Sequence, residues 1–159
     1  GSDGLLFLPL LTGDRSPEWN ASARGILAGM DLSHDRRHLV RAAMEGVLYR
    51  MMTVYEVLAS MNDRAVRIMA NGGYVSSDIW LQIQADLFGK EIAVAGVEEA
   101  SAFGAAYLAM AATGMVPDLR HPLPAMAPRQ TIRPDEVNHE VYRKGLWRFK
   151  DLYRRMYGR

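Results

Sequence analysis

Apolar residues recur at three- and four-residue steps from Leu39 through Ala43, Met44, Val47, Leu48, Met51, Val54, Tyr55 and Leu58 to Met61. That period predicts one long amphipathic helix, with Ser33 as its N-cap. A second helical pattern begins at Pro134, a favoured first position, with Asp135 and Glu136 in the first turn and Arg154 and Arg155 in the last. Gly145 inside it costs about 1 kcal/mol relative to alanine, a loss offset by burial of residues such as Leu146 and Phe149. Short apolar runs of strand type occupy Leu5 to Pro9, Arg24 to Met30, Ala65 to Ala70 and Ile92 to Val94. Between the last two, Ser76 or Ser77 caps a helix with Ile79, Trp80, Ile83 and Leu87 on one side, and Gly89 stops it. A helix rich in alanine then runs from Ala100 to Thr113. Val116 to Arg133 holds four of the seven prolines and has no period, which predicts an ordered surface connection or arm. Strands alternate with helices, so the fold class is α/β.

The chain has 159 residues, enough for one domain or one lobe of something larger. With 49% hydrophobic and 23% charged residues it can bury a core, which argues against disorder. Nineteen basic against eighteen acidic side chains leave a net charge of +1, too little field to capture nucleic acid or an acidic membrane. The absence of cysteine excludes disulfides, thiolate metal sites and a cysteine nucleophile, and it fits a reducing, cytoplasmic setting. No apolar run approaches the roughly 20 residues that span a bilayer. Gly1-Ser2-Asp3 reads as a cloning remnant rather than a secretory leader.

The sharpest local feature is Asn71-Gly72-Gly73-Tyr74-Val75-Ser76-Ser77. A strand that ends in two glycines and enters a helix lets a ligand lie against bare backbone, with helix-start amides and small hydroxyls beside it. The same letters also suit a tight turn, and neither the three-glycine dinucleotide pattern nor the Gly-Lys-Ser/Thr phosphate loop is present. His34 and His38 have the spacing of a zinc pair, but no third ligand is indicated, and they read as helix-end surface residues. Glu98 and Glu99 read as helix-start acids. Lys144, Arg148, Lys150, Arg154, Arg155 and Arg159 form a basic strip that Glu140 and Asp151 interrupt, a solvated face rather than a nucleic-acid surface. No metal site is predicted.

Four blocks in order resemble the C-terminal lobe of the FGGY carbohydrate kinases. They are Phe7 to Asn20 with Ala23-Arg24-Gly25, Leu39 to Val47, Asn71-Gly72-Gly73 with Trp80 to Gly89, and Glu98 to Ala106. Within the family the chain looks most like gluconate kinases, through Glu45-Gly46-Val47-Leu48-Tyr49, Thr53-Val54-Tyr55 and Tyr142-Arg143-Lys144, with xylulose kinases next. The resemblance implies part of an actin-like, ribonuclease-H-like ATPase lobe: residues 4–133 as its nucleotide-side part and residues 134–159 as a C-terminal helix packed on it. It implies transfer of a phosphoryl group from ATP, with Mg2+ implied by that chemistry, to a sugar or sugar acid. By the same resemblance Gly72, Gly73 and Ser77 lie beside the nucleotide, with Asn71, Tyr74 and Ser76 near it and the Tyr74 ring facing the adenosine. Asp14 and Arg15 would lie on a loop facing the cleft, although their charges could equally fix that loop to the core. The family's catalytic aspartate and sugar-binding lobe have no counterpart in these residues, so the chain alone is expected to be inactive. An uncovered edge at Arg67 to Ala70 would favour pairing with a second copy or another chain. A noncatalytic actin-like module that binds a nucleotide or partner through the same turn is the alternative.

Overall fold

The computed structural model describes residues 1–62, 67–97, 99–120 and 127–158. The chain divides into two compact units, one of Gly1–Ala65, Asp86–Gly89 and Pro134–Arg159, the other of Val66–Ala85 and Lys90–Arg133.

In the first unit β1 (Leu6–Leu8) pairs antiparallel with β2 (Ile26–Ala28), Phe7 opposite Leu27. Helix α1 (Arg36–Asn62) lies on β1, and Leu5, Leu8, Ala42 and Leu48 are buried. Gly46 is where the two backbones come closest, because a Cβ there would run into the Phe7 carbonyl oxygen. Ser33 does not cap α1: its amide and hydroxyl both donate to Asp31, at 2.8 and 2.5 Å. Asp35 caps the helix instead, its Oδ1 accepting from the Arg37 amide at 2.8 Å and the His38 amide at 3.3 Å. A carboxylate next to the first turn outcompetes a hydroxyl two residues further out, because it also meets the positive end of the helix dipole.

Helix α4 (Glu136–Tyr157) starts two residues later than Pro134, with Asp135 as N-cap accepting from the Asn138 amide at 2.9 Å. The basic last turn, Arg154 and Arg155, is as the sequence predicts. Tyr49 of α1 packs against Phe149 and Tyr142 of α4, with ring centroids 5.5 and 6.4 Å away. Gly145 has a packing reason, since a Cβ there would strike the Tyr49 hydroxyl. At the other end of α4 the Tyr157 hydroxyl donates to the Arg24 carbonyl at 2.7 Å and accepts from the Arg24 amide at 3.0 Å. Buried Asp86 accepts from the Asp135 amide at 2.8 Å and from Asn138 Nδ2 at 3.2 Å, fixing where α4 begins.

In the second unit β4 (Glu91–Val94) is the central strand of a three-stranded sheet. It runs parallel to β3 (Arg67–Ala70) and antiparallel to β5 (Gln130–Ile132). β3 has no partner on its outer side among the described residues. Strand β5 lies inside the stretch read as a connection: with only three residues, two of them polar, it is too short for a period to show. The parallel pair is joined through α2 (Asp78–Phe88), and α3 (Ala100–Ala112) follows β4. Ala70, Leu81, Ala85, Ile92 and Val94 form the core, with Ile68, Tyr74, Val75 and Ile132 against it.

The buried side of α2 differs from the predicted one. Leu81, Gln84 and Ala85 are covered, whereas Ile79 is 62% exposed. Of the predicted positions only Ile83 and Leu87 are buried. A helix covered on most sides loses the one-sided pattern on which the prediction depends.

Candidate functional site at the glycine bend

β3 and β4 are parallel, so their carboxyl ends lie side by side, and in open α/β sheets that is where ligand crevices form. The Ala95 amide donates to the Ala70 carbonyl at 2.9 Å, one step beyond the last paired residues. Gly72 has φ +95° and ψ 179°, a conformation that a side chain makes costly. A single 3-10 turn, Gly73–Ser76, follows before α2 begins at Asp78.

Two side chains hold this bend from beneath. Tyr74 and Val75 pack on the core, and the Tyr74 hydroxyl donates to Gln84 Oε1 at 3.1 Å while its ring sits 6.0 Å from that of Trp80. Burial raises the Tyr74 phenol above its ordinary pKa, with the Gln84 bond acting the other way. It stays neutral and a donor at physiological pH. Because the anchors point inward, the glycine backbone faces outward, and a Cβ built on Gly72 or Gly73 meets nothing within 4 Å.

Outside the bend is a cavity of about 410 Å3. Asn71, Gly72, Gly73, Val75 and Ser76 line one wall, and Ala95, Val97, Glu99 and Arg129 complete it. Ser76 Oγ donates to the Gly73 carbonyl at 2.9 Å, stiffening the turn. Ser77 is outside the lining: of the two serines read as caps it is the one that caps α2, its Oγ accepting from the Trp80 amide at 3.4 Å. Tyr74 is also outside the lining, its ring being packed on the core. Its hydrophobic face gains more from the core than from solvent. Arg129 has no signal in the sequence, since it lies in the proline-rich stretch; in the fold its amide donates to the Val94 carbonyl at 3.0 Å, beside the cavity. Glu99 precedes α3 as its N-cap without a side-chain capping bond, and Glu98 is outside the described residues.

Asp14 and Arg15 belong to the first unit and do not line this cavity. Asp14 is 5% exposed and paired with Arg50 at 2.5 Å. Arg50 also meets Glu18 at 2.6 Å and donates to the Ser16 carbonyl at 2.7 Å, so its cation gathers the whole turn. The charge of Asp14 thus fixes the loop to the core. His34 and His38 pack edge to face at 5.4 Å and pair with Asp31 and Asp35, each at 2.9 Å. The His34 side chain is only 3% exposed, so it is not the surface residue predicted. No group of three or more metal-ligating side chains occurs among the described residues. Nor is any described helix long and apolar enough to cross a membrane.

Comparison with known proteins places the chain in a family. The chain is 39% identical over 97% of its length to a gluconokinase of Bacillus licheniformis, and 33% identical over 96% to a xylulose kinase of Bacillus subtilis. It spans 30% and 31% of those relatives, respectively. The crystal structure of gluconate kinase from Lactobacillus acidophilus superposes with a TM-score of 0.89 at 28% identity, covering 98% of this chain and 32% of that one. Neighbours of this kind have the actin-like fold that the resemblance implied. Residues 1–113 match the C-terminal domain of the FGGY family of carbohydrate kinases, and the chain belongs to that family.

Proposed function

We propose that this chain is the nucleotide-side part of an ATP-dependent kinase for a sugar or sugar acid, gluconate first and xylulose second. The observation that carries the reading is the open backbone at Gly72 and Gly73, where nothing stands within 4 Å of either missing side chain. The adenosine part of ATP rests there on main chain, at the carboxyl ends of β3 and β4. A side-chain-free bend lets a flat ligand approach the peptide planes, and the inward anchors Tyr74 and Val75 keep the bend from collapsing into the space. Ser76 and Asn71 supply short polar groups at the rim.

Mg2+ travels with the triphosphate in this reading and neutralises its charge. The chain's own part is to bind and orient: it holds the nucleotide while groups outside these residues activate the acceptor hydroxyl. Phosphoryl transfer depends on positioning and charge stabilisation at the transferred group, so the chain alone does not turn over. Gluconate is favoured because the likeness to the gluconokinase, 39%, exceeds that to the xylulose kinase, 33%.

The test is turnover by the full-length protein with ATP on gluconate, xylulose, ribulose and glycerol. Gluconate is expected to give the highest kcat/KM, and silence on all four acceptors would leave the noncatalytic module as the better reading. Gly73→Val isolates the cavity. A Cβ at this position meets no protein atom within 4 Å, so folding is expected to be preserved while the ligand's approach is blocked. The KM for ATP is expected to rise tenfold or more, about 1.4 kcal/mol. An unchanged KM in a variant with native circular dichroism would remove Gly73 from the site.

A further inference from the structure

The geometry points to Arg129 as the residue that recognises the base in this cavity, its guanidinium plane covering the purine ring. The inference rests on the nucleotide reading above and adds to it the group that holds the base. Arg129 lines the same 410 Å3 space as the glycine bend. Its position is set by the sheet, since its amide donates at 3.0 Å to the carbonyl of Val94, a fully buried residue of β4.

The rest of the wall says which part of a nucleotide it suits. Ala95 and Val97 are apolar, so the space accepts a flat, weakly hydrated ring more readily than a hydrated anion. Among the described residues, Arg129 and Glu99 are the charged side chains of the lining, and they sum to zero. A triphosphate finds no net positive field there, whereas a neutral base gains the stacking and cation–π attraction of a guanidinium placed over its face. Only arginine offers that planar face; a lysine would present a compact, strongly hydrated charge.

Titration calorimetry on the full-length protein tests this, with ADP and adenosine as the two probes. Arg129 is exposed and its main-chain bond to the sheet is kept on truncation, and circular dichroism of each variant checks that the fold is in place. Arg129→Ala is expected to weaken both probes by the same factor, roughly five- to twentyfold, and Arg129→Lys to behave like the alanine variant. A loss confined to ADP, or recovery by lysine, would assign Arg129 to the phosphates and overturn the inference. No change with either probe would overturn it as well. Gly73→Val separates the two levels. If that variant loses ADP affinity while Arg129→Ala does not, only the role of Arg129 falls; if Gly73→Val leaves ADP affinity unchanged, the cavity reading falls and takes this inference with it.

Discussion

Replacing Arg50 with methionine is expected to lower the unfolding free energy by about 3 kcal/mol, the usual cost of stranding one partner of a buried ion pair. Asp14 is the stranded group: its side chain is 2% exposed, Oδ1 lies 2.5 Å from the guanidinium, and Oδ2 is buried without a hydrogen-bond partner among the described residues. The same guanidinium pairs with Glu18 and donates to the Ser16 carbonyl, so the turn between them should loosen as well. Denaturant titration measures the loss. The double variant Arg50→Met/Asp14→Asn should recover part of it, because the amide removes the buried charge while keeping the shape. Glu18→Gln should cost under about 1 kcal/mol, since Glu18 is 38% exposed and its pairing is screened by water. A loss under 1 kcal/mol for Arg50→Met would mean that Asp14 finds water or another donor when the arginine is gone.

Gly46→Ala is expected to destabilise by about 2 kcal/mol, although alanine is the better helix former by about 1 kcal/mol. The new Cβ would press on the Phe7 carbonyl oxygen, with the Phe7 carbonyl carbon at 3.1 Å and Phe7 Cβ at 3.3 Å. Two of those three atoms are backbone of a paired strand and cannot swing away. Gly104, inside α3, has nothing within 4 Å of the corresponding Cβ. There Gly104→Ala should stabilise by up to about 1 kcal/mol. Opposite signs for two helical glycines, read from thermal unfolding, would establish the close approach of α1 to β1. Equal signs would show that the strand yields.

Several charges of this molecule serve the fold. Asp35 and Asp135 cap helices, Asp86 sets the entry to α4, and Asp14 with Arg50 pins the turn after β1. In the cavity at the glycine bend the balance differs, because backbone and small side chains make one wall, and the other includes one acidic and one basic residue, Glu99 and Arg129. Under the proposed function, such a wall would suit the uncharged part of a nucleotide.

By itself the sequence determined what repeats or stands out locally. The period from Leu39 to Met61 marked α1, the signals around Pro134 and Arg154 bracketed α4, and two glycines after a strand marked the bend where the cavity opens. Four ordered blocks were enough to indicate the family. Only the tertiary structure decided features that depend on partners distant in the chain. β5 is visible only because β4 pairs with it, and Arg129 comes to the cavity with its amide bonded to Val94. Tyr74 turns inward because Gln84 and the core receive it, and the exposed Ile79 shows that neighbours, not the helix's own pattern, set the buried side of α2. A local pattern records the preference of each segment for water or core. Which neighbour satisfies that preference is settled when the segments pack.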